Sequence, residues 1–232
     1  MNDHAAAVER YRSLVVDVLD DLVDGYIAET LSSSSEAIDA MDAVADVQGS
    51  KLLFVSMCVK RGGMVRSGET SRVAIRSIVQ HWLEIEKKSW EENGKLKHKE
   101  KEKEGSGHGE RASRVKTPLI SLQAVMFNCS TPEDILAALQ DVHADDALLQ
   151  LLDDARISLG VYPNRLTPIK DDWTMETSDA PQATRTDFGQ GEFIEWSKRV
   201  VRTFPRVRVV GGCCGIRPGD IRGLVDELES AE

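Results

Sequence analysis

Two apolar runs far apart in the chain stop at thiols: Val125-Met126-Phe127-Asn128-Cys129 and Val209-Val210-Gly211-Gly212-Cys213-Cys214. Thiols at the ends of two strands can converge in space whatever their separation in sequence. Three thiolates gathered in this way make a Zn²⁺ site whose fourth position stays open, the mark of a catalytic rather than a structural zinc. Adjacent residues of a regular strand point to opposite faces, so Cys213 and Cys214 can share a metal only if the strand ends or bulges there. Gly211 and Gly212 permit the close approach and unusual torsions that such an ending needs. On the cysteines alone, small buried core residues are an equally weighted reading.

The elements that would position these thiols alternate. Helical spacing of apolar residues runs from His4 to Leu22, a short strand from Asp24 to Ala28 stops at Glu29-Thr30, and Ser32 to Ser35 offer N-cap hydroxyls for a helix through Ala45. Leu52 to Val59 reads as a strand, Lys60 to Gly68 as turns, and Thr70 to Trp82 as an amphipathic helix. Leu122 to Phe127 is the next strand, and Thr131-Pro132-Glu133 a helix start with proline at the first helical position. A strand at Ile157 to Val161, a helix around Phe193 to Val201, the strand Val207 to Val210 and a helix opened by Arg217-Pro218 complete the series. Near-continuously apolar strands alternating with helices predict a parallel α/β sheet. Polar or unusual residues recur just after strand ends (Glu29, Asn128, Cys129, Tyr162, Asn164, Cys213, Cys214), as on the working face of a β/α barrel.

Composition narrows the function. A net charge of −10 and a pI near 5.1 give neither a nucleic-acid footprint nor a basic membrane-binding surface. No apolar run approaches a transmembrane helix, and the N-terminus lacks the pattern of a signal peptide. Four cysteines without a secretory signal fit reduced thiols in the cytoplasm, where cysteine clusters lean toward metal binding or catalysis. Residues 84–115 depart from the pattern: the Lys/Glu-rich run from Lys95 to Glu104 has almost no apolar residue, so a disordered loop or solvated helical extension is expected. Its interleaved glutamates argue against a nucleic-acid role.

Several motifs in order resemble the homocysteine S-methyltransferases. They are Asn128-Cys129, Tyr162-Pro163-Asn164-Arg165-Leu166-Thr167-Pro168-Ile169 and Gly211-Gly212-Cys213-Cys214-Gly215-Ile216-Arg217-Pro218. Asp24-Gly25-Tyr26-Ile27-Ala28-Glu29-Thr30, Ser56-Met57-Cys58 and Ser67-Gly68-Glu69-Thr70 are weaker landmarks in the same order. Gln182-Ala183-Thr184-Arg185-Thr186-Asp187-Phe188 resembles a loop found in one branch of the family. The resemblance takes in residues 1–232 apart from the charged insert and implies a homocysteine-binding domain of (β/α)8 TIM-barrel type. Here it would be an incomplete barrel of about five βα units carrying a charged low-complexity insert.

The resemblance also implies Zn²⁺ held by Cys129, Cys213 and Cys214, with Cys58 structural. It implies methyl transfer from a sulfonium or ammonium donor, such as S-methylmethionine or betaine, to the homocysteine thiol, yielding methionine. Homocysteine sulfur as the fourth ligand would be deprotonated and fixed in place. The negative charge of the thiolates would attract a cationic donor. Glu29 is the candidate for the homocysteine amino group through a charge-assisted hydrogen bond, with an N-cap or ion pair as its alternative. Asn128 would bond a substrate or orient a neighbouring loop, and Tyr162 and Asn164 would brace the loop or touch substrate.

Against the family pattern the chain begins about three strand–helix units late, and ~250 residues are typical of such a barrel. An incomplete gene or fragment is the favoured explanation, ahead of a second polypeptide filling the gap or a degenerate descendant. The alternative function is a non-catalytic zinc- or homocysteine-binding fragment, or a pseudoenzyme acting through a partner.

Overall fold

The runs that stop at cysteines become two strands of one sheet, with a third strand between them. The computed structural model describes residues 4–45, 47, 51–104, 120–168 and 182–230. Helix α1 (His4–Leu19) and a 3-10 turn lead into β1 (Gly25–Leu31), followed by α2 (Ser34–Val44) and β2 (Lys51–Met57). A hairpin of β3 (Val59–Lys60) and β4 (Met64–Val65) precedes the long α3 (Ser71–Glu104). Strand β5 (Ile120–Asn128) is followed by α4 (Pro132–His143) and α5 (Asp146–Ala155), then by β6 (Ser158–Tyr162) and α6 (Gln190–Thr203). Strand β7 (Val207–Val210) and α7 (Pro218–Glu229) come last.

Sheet order is β1-β2-β5-β6-β7 with every neighbouring pair parallel. Helices lie between the strands, as parallel connections require. The arrangement is consistent with part of a TIM-barrel-like fold, and among the described residues β1 and β7 each have one strand neighbour. Its consequence for function is that Glu29, Asn128, Tyr162 and the residues after Val210 all stand at the same end of the sheet.

Local chemistry sets the helix starts. Ser33 accepts from Glu36 N–H at 3.0 Å, and Thr131 accepts from Asp134 N–H at 3.2 Å with Pro132 at the first helical position. Asp145 caps α5, accepting from Leu148 N–H at 3.0 Å. That cap separates α5 from α4. Arg156, at φ 56°, closes α5 in the left-handed conformation, and Ile157 N–H returns to Leu152 O at 2.9 Å.

Strand β5 is buried along most of its length, with Val125 and Phe127 in the main core and Met126 and Asn128 alternating to the other face. Ile75 and Ile78 of α3, Leu139 of α4 and Leu152 of α5 are fully buried in the same core. Truncating Phe127 to alanine would therefore cost about 3–5 kcal/mol. The described part of the charged segment, residues 84–104, belongs to helix α3. Lys and Glu are good helix formers. Residues 105–115 of that segment lie outside the described residues.

Candidate metal centre

The site is built from three chain ends: the residue after β5, the segment after β6 and the turn after β7. Strand β7 stops at Val210, so Cys213 and Cys214 lie beyond the pleat that would have sent them to opposite faces. Gly211 N–H still bonds Val161 O at 2.9 Å, and the chain then turns, with Ile216 N–H donating to Cys213 O at 3.0 Å. A Cβ on Gly212 would lie 2.2 Å from Ile216 Cγ2, so only glycine fits beneath this turn. Gly215 takes φ 84°, a conformation that favours glycine.

The segment Tyr162–Arg165 runs between the two cysteine-bearing turns and bonds both. Tyr162 O accepts from Cys129 N–H at 3.2 Å, and Pro163 O accepts from Cys213 N–H at 2.8 Å. Asn164 N–H donates to Ser130 O at 3.0 Å, and Arg165 N–H to Cys214 O at 2.7 Å. One stretch of backbone thus fixes the spacing of both turns.

The thiols converge as a result. Cys129 Sγ is 3.7 Å from Cys214 Sγ, Cys213 Sγ is 3.8 Å from Cys214 Sγ, and all three sulfurs lie within 4.8 Å of one another. Zn–S bonds of about 2.3 Å in a tetrahedron place sulfurs about 3.8 Å apart. The donor set therefore fits zinc in element type and in spacing, and it is the only such cluster among the described residues. Hydrogen bonding from the Cys129 thiol lowers Cys213 to about 6, while the same interaction, with burial, pushes Cys129 far above the ordinary thiol range. Three crowded thiols thus already favour sharing negative charge unequally. Cys58 is buried just beyond β2 rather than mid-strand, and burial pushes it up to about 11. It stands outside the cluster.

Residues 94–228 match the family model described as homocysteine S-methyltransferase. The chain belongs to the homocysteine S-methyltransferase family. Among solved structures, the apo crystal structure of the homocysteine methyltransferase MmuM from Escherichia coli is similar, with a TM-score of 0.50 and 18% identity. The likeness covers 94% of this chain and 56% of that one, so this family member spans little more than half the length of its solved relative. At that identity the likeness bears on the fold. No curated protein matches the chain in sequence.

Around the thiols of this homocysteine S-methyltransferase domain, the other sequence candidates take different places. Glu29 is exposed at the end of β1, and its Oε2 accepts from Tyr162 O–H at 3.3 Å. Burial, reinforced by the Glu29 charge, pushes the Tyr162 phenol above its usual range, so it stays a donor. Asn128 is fully buried. Its Oδ1 accepts from Thr30 N–H at 3.2 Å and Ser56 O–H at 2.8 Å, and its Nδ2 donates to Thr30 Oγ1 at 2.9 Å. The amide thereby joins β1, β2 and β5.

Two features carried no readable signal. Thr30 (φ 65°) and Cys129 (φ 48°) both take left-handed torsions, costly for non-glycine residues and more so for a β-branched one. Both flank the Asn128 amide, one by hydrogen bond and one by sequence. The pairing of Arg185 with Glu133 is the second feature, since nothing in their sequence positions implies contact.

Proposed function

We propose that this chain carries the thiol centre of a zinc-dependent homocysteine S-methyltransferase. Cys129, Cys213 and Cys214 would hold Zn²⁺. The observation that carries the reading is their convergence at sulfur spacings suited to one tetrahedral ion. When bound, zinc supplies a Lewis-acidic seat that keeps the homocysteine sulfur as a thiolate at neutral pH. Glu29 accepts from the homocysteine ammonium, and Tyr162 orients the Glu29 carboxylate. The thiolates' negative charge favours a cationic donor of the sulfonium or ammonium type. Transfer forms a C–S bond on homocysteine and breaks the methyl–S or methyl–N bond of the donor. The bonding pair stays on the donor heteroatom and neutralises it. Alignment of the two substrates would supply much of the acceleration. The reading places the protein in the cytoplasm, where thiols stay reduced, and no helix among the described residues is long and apolar enough to cross a membrane.

Zinc content together with methionine formation from homocysteine and either S-methylmethionine or betaine tests this. One zinc per chain and methionine with at least one donor are expected; turnover that persists in a metal-free, C214S chain would sink it.

A second reading is favoured by the open sheet. Ile27 of β1 and Leu52 of β2 are 54% and 44% exposed, and β1 has one strand neighbour among the described residues. A zinc- or homocysteine-binding fragment that works only with a covering partner would leave such surface free. It predicts zinc binding without turnover until that partner is added.

A further inference from the structure

Between β6 and α6 the chain makes a second pass behind the thiol centre. Arg185 N–H donates to Arg165 O at 2.9 Å, Thr167 N–H donates to Ala183 O at 2.8 Å, and Leu166 bridges Thr184 antiparallel. Arg165 N–H is the donor to Cys214 O, and a Cβ on Gly215 would lie 3.0 Å from Arg165 Cβ and 3.3 Å from Thr184 Cγ2. The Cys214–Gly215 turn therefore rests directly on this short ladder.

What anchors the ladder is the Arg185 side chain, 13% exposed. Its guanidinium takes Glu133 with two parallel bonds, Nη1 to Oε2 at 2.7 Å and Nη2 to Oε1 at 2.8 Å. It also donates to Asp187, from Nε at 3.0 Å and from Nη2 at 2.8 Å, and lies 5.8 Å from the centre of the Phe188 ring. Phe188 packs edge-on against Phe193 and Trp196 of α6, which roots the whole loop in the core. Glu133 stands in the first turn of α4, immediately downstream of Cys129. A closed ring results: Cys129 leads through Thr131 and Pro132 to Glu133, across to Arg185, through Arg165 and back to Cys214.

We infer that Arg185 is a positioning residue that holds the Cys214 turn at metal-binding distance from the Cys129 turn. The bidentate pair fixes orientation as well as distance, which a lysine's single point contact does not. Arg206 and Asp153 provide an internal control. They form a similar two-bond pair, at 2.9 and 2.5 Å, but at the start of β7, the end of the sheet opposite the thiols.

The inference rests on the zinc reading only for the ion that reports it, so its test has two arms. In the first, zinc affinity is measured by chelator competition on the full chain and on R185A, R185K, E133Q and R206A. R185A and E133Q should each weaken zinc about 10–100-fold, R185K should recover only part of the loss, and R206A should stay within about twofold of the unsubstituted chain. The second arm needs no metal: diamide oxidises thiol pairs in the metal-free chain, and peptide mass spectrometry measures crosslinking of Cys129 to Cys213 or Cys214. That crosslink should fall several-fold in R185A and not in R206A. If R185A matches the unsubstituted chain in both arms, or R206A loses as much, Arg185 has no positioning role. If the unsubstituted chain takes up no zinc, the metal reading fails and the crosslinking arm alone decides. Should R185A not fold by circular dichroism, E133Q carries the comparison.

Discussion

Asn164 holds Cys129 in place: its side-chain Nδ2 donates to the Cys129 carbonyl at 2.9 Å. The same amide accepts from Leu166 N–H at 3.1 Å, so both ends are engaged. Cys129 needs such a grip, because its left-handed torsion (φ 48°) is one that the surrounding structure must impose. Asn164→Ala removes the grip and leaves two backbone groups without a partner. The expected result is a stability loss of about 1–3 kcal/mol with zinc affinity reduced about 10–100-fold. Denaturant unfolding and chelator competition measure the two effects separately. Unchanged affinity in the folded variant would show that the Cys129 torsion does not depend on Asn164.

The thiols themselves give the simplest discrimination. Cys129→Ser, Cys213→Ser and Cys214→Ser each replace a soft ligand with a poor one and should abolish stoichiometric zinc. Cys58→Ala should leave zinc content intact, since Cys58 lies outside the cluster. Metal analysis of the purified variants, with cadmium–thiolate absorbance counting the bound sulfurs, checks this. Retention of zinc by any of the serine variants would remove that cysteine from the ligand set.

How much of this was readable beforehand depended on whether a residue's neighbours are local in sequence. The strands ending at Asn128 and Val210 and the Thr131–Pro132 helix start follow from short-range pattern, and the meeting of the three thiols follows from the strand ends that carry them. The sequence leaves Asn128 with a role toward substrate or toward a neighbouring loop; its bonds to Thr30 and Ser56 are not legible there, because a residue opposite them can be recognised only once β1, β2 and β5 are in register. Arg185 and Glu133 meet only through tertiary structure, so no spacing rule could have paired them. The helical form of residues 84–104 turns on local propensity, which composition alone undervalues.

Glu29 is expected to act on homocysteine, not on the metal. Glu29→Gln keeps the shape but turns a charge-assisted bond to the substrate ammonium into a neutral one. The difference between two such bonds is about 1–1.5 kcal/mol, or roughly 5–10-fold in homocysteine affinity. Zinc content should not change. Calorimetric titration of the zinc-loaded chain with homocysteine reads the first, and metal analysis the second. Tyr162→Phe should have a smaller effect in the same direction, because its 3.3 Å bond only orients the carboxylate. An affinity unaltered by E29Q would return Glu29 to a structural role.

Asn128 and Thr30 are expected to be energetically coupled. Asn128→Ala leaves Thr30 N–H and the Ser56 hydroxyl without their acceptor, at a cost of about 1–3 kcal/mol. It also removes what holds Thr30 at φ 65°. Thr30→Gly should therefore be less damaging in the N128A background, since the Asn128 Nδ2 bond to Thr30 Oγ1 that it removes is already lost there. A double-mutant cycle by denaturant unfolding measures the coupling, and strict additivity would mean that the amide does not hold the torsion.

His143 predicts an acid-sensitive step in stability. Its Nδ1 lies 3.0 Å from Leu139 O, its ring meets Phe204 edge-on at 4.6 Å, and its Nε2 is buried without a hydrogen-bond partner. Burial lowers its pKa below the ordinary 6.5, and the nearby Arg206 charge acts in the same direction. The folded chain thus binds this proton more weakly than the unfolded chain does. Its contribution to stability is fully present above 6.5 and is lost as pH falls through the lower, folded value. Phenylalanine at this position keeps the ring contact and removes the proton site. His143→Phe should flatten the decline in melting temperature between pH 6.5 and about 5, the window in which the carboxylates have yet to protonate. Melting curves taken at half-unit pH steps compare the two slopes. If the slopes are equal, the acid sensitivity in that window belongs to another group.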